Sequence, residues 1–332
     1  MKVGLIGAGR IGALHARTLR DHSEVSALRI ADVAGERAAA LAAQTGAEVA
    51  STNEELADWA DALVITAATS AHADLIHLAA DAGIAAFCEK PIALDLETTD
   101  GVLEHVERAG ILLQIGFQRR FDVGFREARR LVQAGDLGRL YIVRLATHDP
   151  EPSHEEYIST SGGIFRDLHI HDFDAVRWVT GQEVEEVYAM GAVLCDDVFK
   201  RYDDVDTAAA VLRLRDGALA ILSGTRHDPR GYDVRMELFG ARDSIAVGWD
   251  GRTPLRSVEP GVPAPAERAY PNFLDRFAAA YEAELAHFIE FAQGRAENLC
   301  PGDEAREALR ISEAAALSLA EGRPVRLEEI GP

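Results

Sequence analysis

The stretch Lys2-Val3-Gly4-Leu5-Ile6-Gly7-Ala8-Gly9-Arg10-Ile11-Gly12 decides the fold. An apolar run of strand length passes directly into G-x-G-x-x-G, and residues 11–20 read as a helix. Asp32 closes the next apolar run, twenty residues after Gly12. Strand, glycine turn, helix and acid in this order predict a βαβ unit that binds a dinucleotide. Gly7 permits the tight turn, Gly9 lets backbone amides approach a pyrophosphate, and Gly12 lets the helix pack close to the strand. The helix opens with Arg10 and Ile11 and offers its N-terminal amides and dipole to the phosphates. Asp32 is placed to accept hydrogen bonds from the adenosine ribose and to repel a 2′-phosphate. Val33 brings no positive partner for such a phosphate, and Arg37 reads as a solvated helix residue. The cofactor expected is NAD rather than NADP.

Working outward, residues 1–118 alternate strand and helix. Apolar runs lie at 3–6, 25–31, 62–66, 85–88 and 111–116, with a weaker one near 48–50. Helical stretches lie at 11–20, 35–44, 54–59, 72–82 and 96–108. This predicts an α/β chain whose N-terminal Rossmann domain, 1–118, holds a doubly wound parallel sheet. After Phe117 the pattern changes. A helix is expected at 124–134, then β-like runs at 140–147, 184–194, 207–214, 218–225, 232–239 and 244–249. Turn signals such as Arg215-Asp216-Gly217 separate them, and one helix at about 165–179 interrupts them. The Pro-rich segment 254–271 reads as a loop. Two helices close the chain, the first with Phe277, Tyr281, Leu285, Phe288 and Ile289 on one stripe. Residues 119–332 are therefore read as a C-terminal α+β domain with a large open, mostly antiparallel sheet.

Composition excludes several partners. A net charge of -21, from 34 basic and 55 acidic residues, repels nucleic-acid phosphates and anionic membranes. Cys88, Cys195 and Cys300 are far apart, odd in number and without a C-x-x-C pair, so neither a zinc knuckle nor a disulfide framework is expected. No run of 18 apolar residues suggests a membrane span, and the N-terminus lacks the pattern of a signal peptide. A reducing cytoplasm fits these features.

Further stretches carry chemistry. Glu89-Lys90-Pro91 follows the fifth strand. Gly116-Phe117-Gln118-Arg119-Arg120-Phe121-Asp122 follows the sixth. Gly162-Gly163-Ile164-Phe165-Arg166-Asp167 leads to His171-Asp172, and Gly231-Tyr232-Asp233 comes later. Together they resemble the Gfo/Idh/MocA family of sugar and cyclitol dehydrogenases, at its inositol 2-dehydrogenase branch. Two positions depart from that pattern: Ala67-Ala68-Thr69 stands where the family often has T-P-T, and Gln118 where inositol enzymes often carry methionine.

The resemblance implies NAD-dependent oxidation of a cyclitol hydroxyl, with myo-inositol giving 2-keto-myo-inositol. An aldose or other sugar derivative, or a silent NAD-binding sensor, are the alternatives. It implies His171 as general base, Asp167 as its partner and Lys90 close to the reacting oxygen. It also implies Arg119, His148 and Tyr232 at the substrate and Thr69, His72, Glu89 and Lys90 near the cofactor. The open face of the C-terminal sheet, of a kind commonly buried by a second subunit, points to a homo-oligomer, a tetramer in relatives. The residue types suit these roles. Histidine titrates near neutrality, and a lysine steadies a developing alkoxide. Asp167 and His171, four apart in a helical stretch, share a face. His169 would then lie about 200° round the helix from His171, so His169, His171 and Asp172 are not expected to share a metal. Arg120 is read as a structural ion-pair partner.

Overall fold

The computed structural model describes residues 1–331. In its first sheet six parallel strands, β1 (Lys2–Ile6), β2 (Ala27–Ala31), β3 (Glu48–Val49), β4 (Ala62–Ile65), β5 (Ala85–Glu89) and β6 (Leu113–Gly116), stand in the order β3-β2-β1-β4-β5-β6. The inner strands are apolar because crossover helices cover both faces of a parallel sheet. Val3 sits between Leu28 of β2 and Ala62 of β4. The crossovers use α1 (Arg10–Asp21), α2 (Gly35–Thr45), α3 (Asn53–Trp59), α4 (His72–Ala82) and α5 (Leu96–Ala109). Thr52 and Asp95 cap α3 and α5, accepting from the N–H groups of Glu55 and Thr98. Strand order reverses between β1 and β4. Ligands of doubly wound sheets bind at the carboxyl ends of the strands flanking such a reversal.

The second sheet has seven strands in the order β12-β11-β7-β10-β9-β8-β13. They are β7 (Leu140–His148), β8 (Val184–Ala192), β9 (Thr207–Leu214), β10 (Leu219–Thr225), β11 (Asp233–Gly240), β12 (Ser244–Val247) and β13 (Val325–Arg326). Among the described residues of this sheet only the β7/β10 pair is parallel, so the sheet is mixed and mostly antiparallel. Alternation gives it two faces. On β9, Ala208, Ala210, Leu212 and Leu214 are buried while Ala209, Val211 and Arg213 are exposed. Helices α6 (Val123–Gln133), α7 (Glu155–Ile158), α8 (Ile164–Asp167), α9 (Ile170–Thr180) and α10 (Phe273–Arg276) belong with this sheet.

Two expectations are corrected here. The single helix expected at 165–179 is two helices. Between α8 and α9 the His169 N–H reaches back five residues to the Ile164 carbonyl, and the Asp172 N–H reaches back only three, to His169. The hydrogen-bond ladder changes step there, which side-chain periodicity does not reveal. In addition, β13 pairs with β8 through Val325 and Val187 beyond the last helix, where no strand was expected.

The closing helices are α11 (Ala278–Ala292) and α12 (Gly302–Glu321). The chain divides into a unit of Met1–Phe121 with Ala279–Glu307, and a unit of Asp122–Ala278 with residues 308–331. This differs from a single boundary after residue 118. Leu285, Phe288, Ile289 and Phe291 of α11 share a core cluster with Val3, Leu5, Ala16, Leu19 and Phe87. The rings of Phe87 and Phe288 are 5.7 Å apart. An apolar stripe announces that a helix must bury a face, but not which sheet receives it.

Candidate active site

The turn from β1 to α1 shows why three glycines stand there. Gly7 has a φ of +107°, and a Cβ on it would lie 2.6 Å from the backbone of Thr66 and Ala67. A Cβ on Gly12 would lie 2.0 Å from the Gly7 carbonyl oxygen and 2.8 Å from Thr66 Oγ1. Around Gly9 nothing lies within 4 Å of that position, so this side of the turn is open. Gly9 is also the N-cap of α1, brings no capping side chain, and no acid occupies the first turn. Arg10 and Ile11 begin the helix, whose first-turn amides have no intrahelical acceptors. This cradle fits a dinucleotide pyrophosphate, packed shut at Gly7 and Gly12 and accessible at Gly9.

Asp32 follows β2 and is tied to the cradle itself. Its Oδ2 accepts from the Ala8 N–H at 2.7 Å, and its Oδ1 from the Ala34 N–H at 2.8 Å. Burial works to raise this carboxyl. The two amides and the Arg37 guanidinium, 3.0 Å from Oδ1, outweigh it and hold the group below the usual carboxylate range. Arg37 is thus not merely solvated. Its exposed side chain folds back from the first turn of α2 onto Asp32.

Glu89, Lys90 and Pro91 lie at the carboxyl end of β5. Glu89 Oε1 is 2.7 Å from Nε2 of His15, a wholly buried residue of α1. Glu284 of α11 joins them, and the three side chains offer ligand atoms within 4.8 Å of one another. Gly116 leaves room for Glu89: a Cβ there would be 2.9 Å from its Oε2. His72 is buried as well, one ring nitrogen 2.7 Å from the Pro91 carbonyl and the other 3.1 Å from that of Ala67. Burial pushes this imidazole below its ordinary value against the pull of both carbonyls. Glu89 and His72, both expected near the cofactor, hydrogen-bond within the protein. Both side chains are occupied by protein groups, and His72 pins the turns at Ala67 and Pro91. Thr69, half-buried, opens a 3₁₀ turn after β4, and Lys90 is half-buried. Arg119 lies buried in the turn Gln118–Phe121. Arg120 donates to the Leu299 carbonyl at 2.7 Å and to Glu304 at 2.9 Å, the structural ion pair its position suggested.

In the second unit Asp167 ends α8 and His171 lies in the first turn of α9. A change of step in the helical hydrogen-bond ladder lies between them. Asp167 is buried. The Tyr157 hydroxyl donates to its Oδ1 at 2.6 Å, and Arg226 Nη2 lies 2.8 Å from its Oδ2. Arg226 also reaches Asp149 at 3.2 Å. Burial opposes the charge on Arg226, but the carboxylates of Asp167 and Asp149 outweigh it and raise its pKa. Burial and the Asp167 charge push the Tyr157 phenol well above its ordinary value, so it remains a donor. His171 is half-buried. His169 is a core residue, with Nδ1 2.8 Å from Asp172 Oδ2, while the Thr147 hydroxyl donates to Asp172 Oδ1 at 2.7 Å.

Alternation along β7 sends Thr147 to the α9 side and His148 to the other face. His148 Nδ1 lies 3.7 Å from Asp233 and 3.9 Å from Asp228. Burial pushes this imidazole down, and the two carboxylates partly offset it. The Tyr232 N–H donates to the Tyr270 carbonyl at 2.8 Å, and its ring packs near Phe273 and Phe277. The structure therefore groups Asp167 with Tyr157, Arg226 and Asp149. It groups His148 with Asp228 and Asp233, and Tyr232 with an aromatic cluster. Tyr157, Arg226 and His15 carry no motif. The one trace of His15 in the sequence is a polar residue on the apolar face formed by Gly12, Ala16 and Leu19.

The parallel sheet, its glycine cradle and the Asp32 acceptor define a dinucleotide-binding oxidoreductase. Residues 1–117 match the oxidoreductase family with an NAD-binding Rossmann fold, and residues 125–246 match the GFO/IDH/MocA C-terminal domain. The chain belongs to the GFO/IDH/MocA oxidoreductase family, and its cofactor is NAD. It is 36% identical to myo-inositol 2-dehydrogenase of Thermotoga maritima, with 99% of each chain covered. It is 39% identical to a myo-inositol dehydrogenase of Streptomyces leeuwenhoekii, covering 97% of this chain and 98% of that one. Among solved structures, scyllo-inositol dehydrogenase from Lactobacillus casei with bound NAD(H) and scyllo-inositol is similar at a TM-score of 0.89 and 26% identity, with 99% of each chain covered.

Proposed function

We propose that the chain is an NAD-dependent cyclitol dehydrogenase that oxidises the C2 hydroxyl of myo-inositol to 2-keto-myo-inositol. The observation that carries this reading is the Asp167 carboxylate, held by Tyr157 and Arg226 four residues before His171, in a chain whose full-length relatives bear inositol dehydrogenase names. Bound NAD supplies the hydride acceptor for the carbinol carbon. Gly7, Gly9, Arg10, Ile11 and Gly12 hold the pyrophosphate, and Asp32 takes the adenosine ribose. Thr69 borders the cofactor from the turn that His72 pins. Lys90 donates to the reacting hydroxyl and favours its developing negative charge. His171 takes the hydroxyl proton, Asp167 stabilises the resulting imidazolium, and Arg119 binds a further ring hydroxyl. A misplaced hydroxyl would leave one of these buried groups unpaired, which sets the choice between isomers.

A second copy of the chain is proposed to cover the open face of the second sheet, where Tyr188, Met190, Val211 and Ile221 are exposed, giving a homo-oligomer and, as in the resemblance, a tetramer. No helix among the described residues is long and apolar enough to cross a membrane. Cys88, Cys195 and Cys300 form no disulfide among those residues, and a cytoplasmic location is proposed on that basis.

The test is kcat/KM for myo-inositol, scyllo-inositol, D-chiro-inositol and glucose with NAD, followed by NADH absorbance. Myo-inositol should lead. A wide margin for glucose would overturn the cyclitol reading.

A further inference from the structure

Asp167 has two carboxylate oxygens, and each is engaged by a side chain from a different segment. Tyr157 comes from α7 and takes Oδ1, while Arg226, just past β10, takes Oδ2. Two anchors on two oxygens stop the carboxylate from rotating. Arg226 is itself fixed: it is buried, its N–H donates to the Asp206 carbonyl at 2.8 Å, and its guanidinium also pairs with Asp149. We propose that Tyr157 and Arg226 are positioning residues of the dehydrogenase reaction, which fix the Asp167 carboxylate so that His171, and not Asp167, collects the proton of the substrate hydroxyl. This rests on the reading of Asp167 and His171 as the acid–base pair.

The charge count supports the assignment. Asp149, Arg226 and Asp167 together sum to one negative charge, since one guanidinium serves two carboxylates. Asp204 also faces this group. Its Oδ1 accepts from the Ile164 N–H at 2.9 Å, and burial, with the Asp167 charge, raises its carboxyl. A buried excess of negative charge favours a cation beside it, and on the acid–base reading of Asp167 and His171 the imidazolium formed when His171 takes the proton is that cation. A carboxylate with a hydroxyl and a guanidinium on its oxygens is a poor proton acceptor. The O–H bond of the substrate breaks, the N–H bond forms on His171, and Asp167 stays an anion throughout.

Tyr157→Phe is the first test, because the Tyr157 ring is partly exposed and the variant keeps its shape. Loss of a hydrogen bond to a charged group should lower kcat for cyclitol oxidation by roughly 10- to 100-fold, with KM for NAD unchanged. The acidic limb of the kcat/KM profile should move to higher pH, since a less neutralised Asp167 makes the imidazolium easier to form. Arg226→Gln should move it further in the same direction, and Arg226→Lys, which keeps the charge, should bring it back. A merely structural role would lower activity without moving the limb. Tyr157→Phe with unchanged kcat and limb, beside an Asp167→Asn enzyme that has lost turnover, would overturn the inference and leave the acid–base reading standing. Full turnover in both Asp167→Asn and His171→Ala would overturn that reading and the inference together.

Discussion

Asp32 and Asp167 are both carboxylates with both oxygens engaged, yet they are built in different ways. Asp32 rests on the backbone N–H groups of Ala8 and Ala34, with one exposed arginine added. Asp167 rests on the side chains of Tyr157 and Arg226. Backbone donors come with the fold, and a side-chain substitution leaves them in place. Side-chain donors can be deleted one at a time. The acid of the cofactor half is therefore hard to disturb without refolding the turn, whereas the acid of the second unit is open to graded adjustment.

The strongest way to break this comparison is at the chemistry itself. His171→Ala, and separately Lys90→Ala, should lower kcat by roughly 10²-fold or more while the Kd for NAD stays unchanged. A fully active His171→Ala enzyme would remove histidine as the base. The glycine cradle comes next. Gly12→Ala forces a carbon to within 2.0 Å of the Gly7 oxygen, and overpacking of this kind costs about 1–3 kcal/mol, read as a lower Tm together with weaker NAD binding. Gly9→Ala, with nothing within 4 Å of the added carbon, should keep Tm and weaken NAD binding alone. Unchanged NAD affinity there would mean that the open side is not the phosphate side.

Smaller effects sharpen the Asp32 half. Asp32→Ser should raise kcat/KM for NADP relative to NAD by roughly 10-fold, the scale of one charged hydrogen bond, because Arg37 is released to meet the 2′-phosphate. Adding Arg37→Ala should cancel the gain, and a gain that survives would exclude that role. The smallest effect expected is a pH slope. Burial depresses the folded pKa of His72 below 6.5, so the unfolded chain binds the proton first. Stability present above that pH is lost as the pH falls toward the lower folded value. His72→Gln should flatten this part of a plot of denaturation midpoint against pH, and an unaltered slope would count against a buried neutral imidazole.

The cradle was legible because all its parts are local: two strands, a turn and one helix hold Gly7, Gly12 and Asp32. Arg120 was legible as an ion-pair former, though its partner Glu304 was not. The Asp167 segment was misread for a physical reason. Residues 164–180 keep helical periodicity across a place where the hydrogen bonds change step, and side-chain patterns do not record that. Tyr157 and Arg226 were invisible because neither stands in a motif, and only the fold brings them to Asp167. The pairing of His15 with Glu89 has the same character, a contact between α1 and the end of β5.

The return of residues 279–307 to the first unit sets a schedule for the newborn chain. Until α11 emerges from the ribosome, Phe87 and its neighbours lack the cover of Leu285, Phe288 and Ile289. Translation at roughly 5–20 residues per second takes on the order of ten to thirty seconds to pass from residue 121 to residue 279. Throughout that interval the half-made sheet exposes an oily flank to the crowded cell. The coenzyme domain begins first and is completed close to the end of synthesis, so nascent-chain chaperones have their longest task at the N-terminal half.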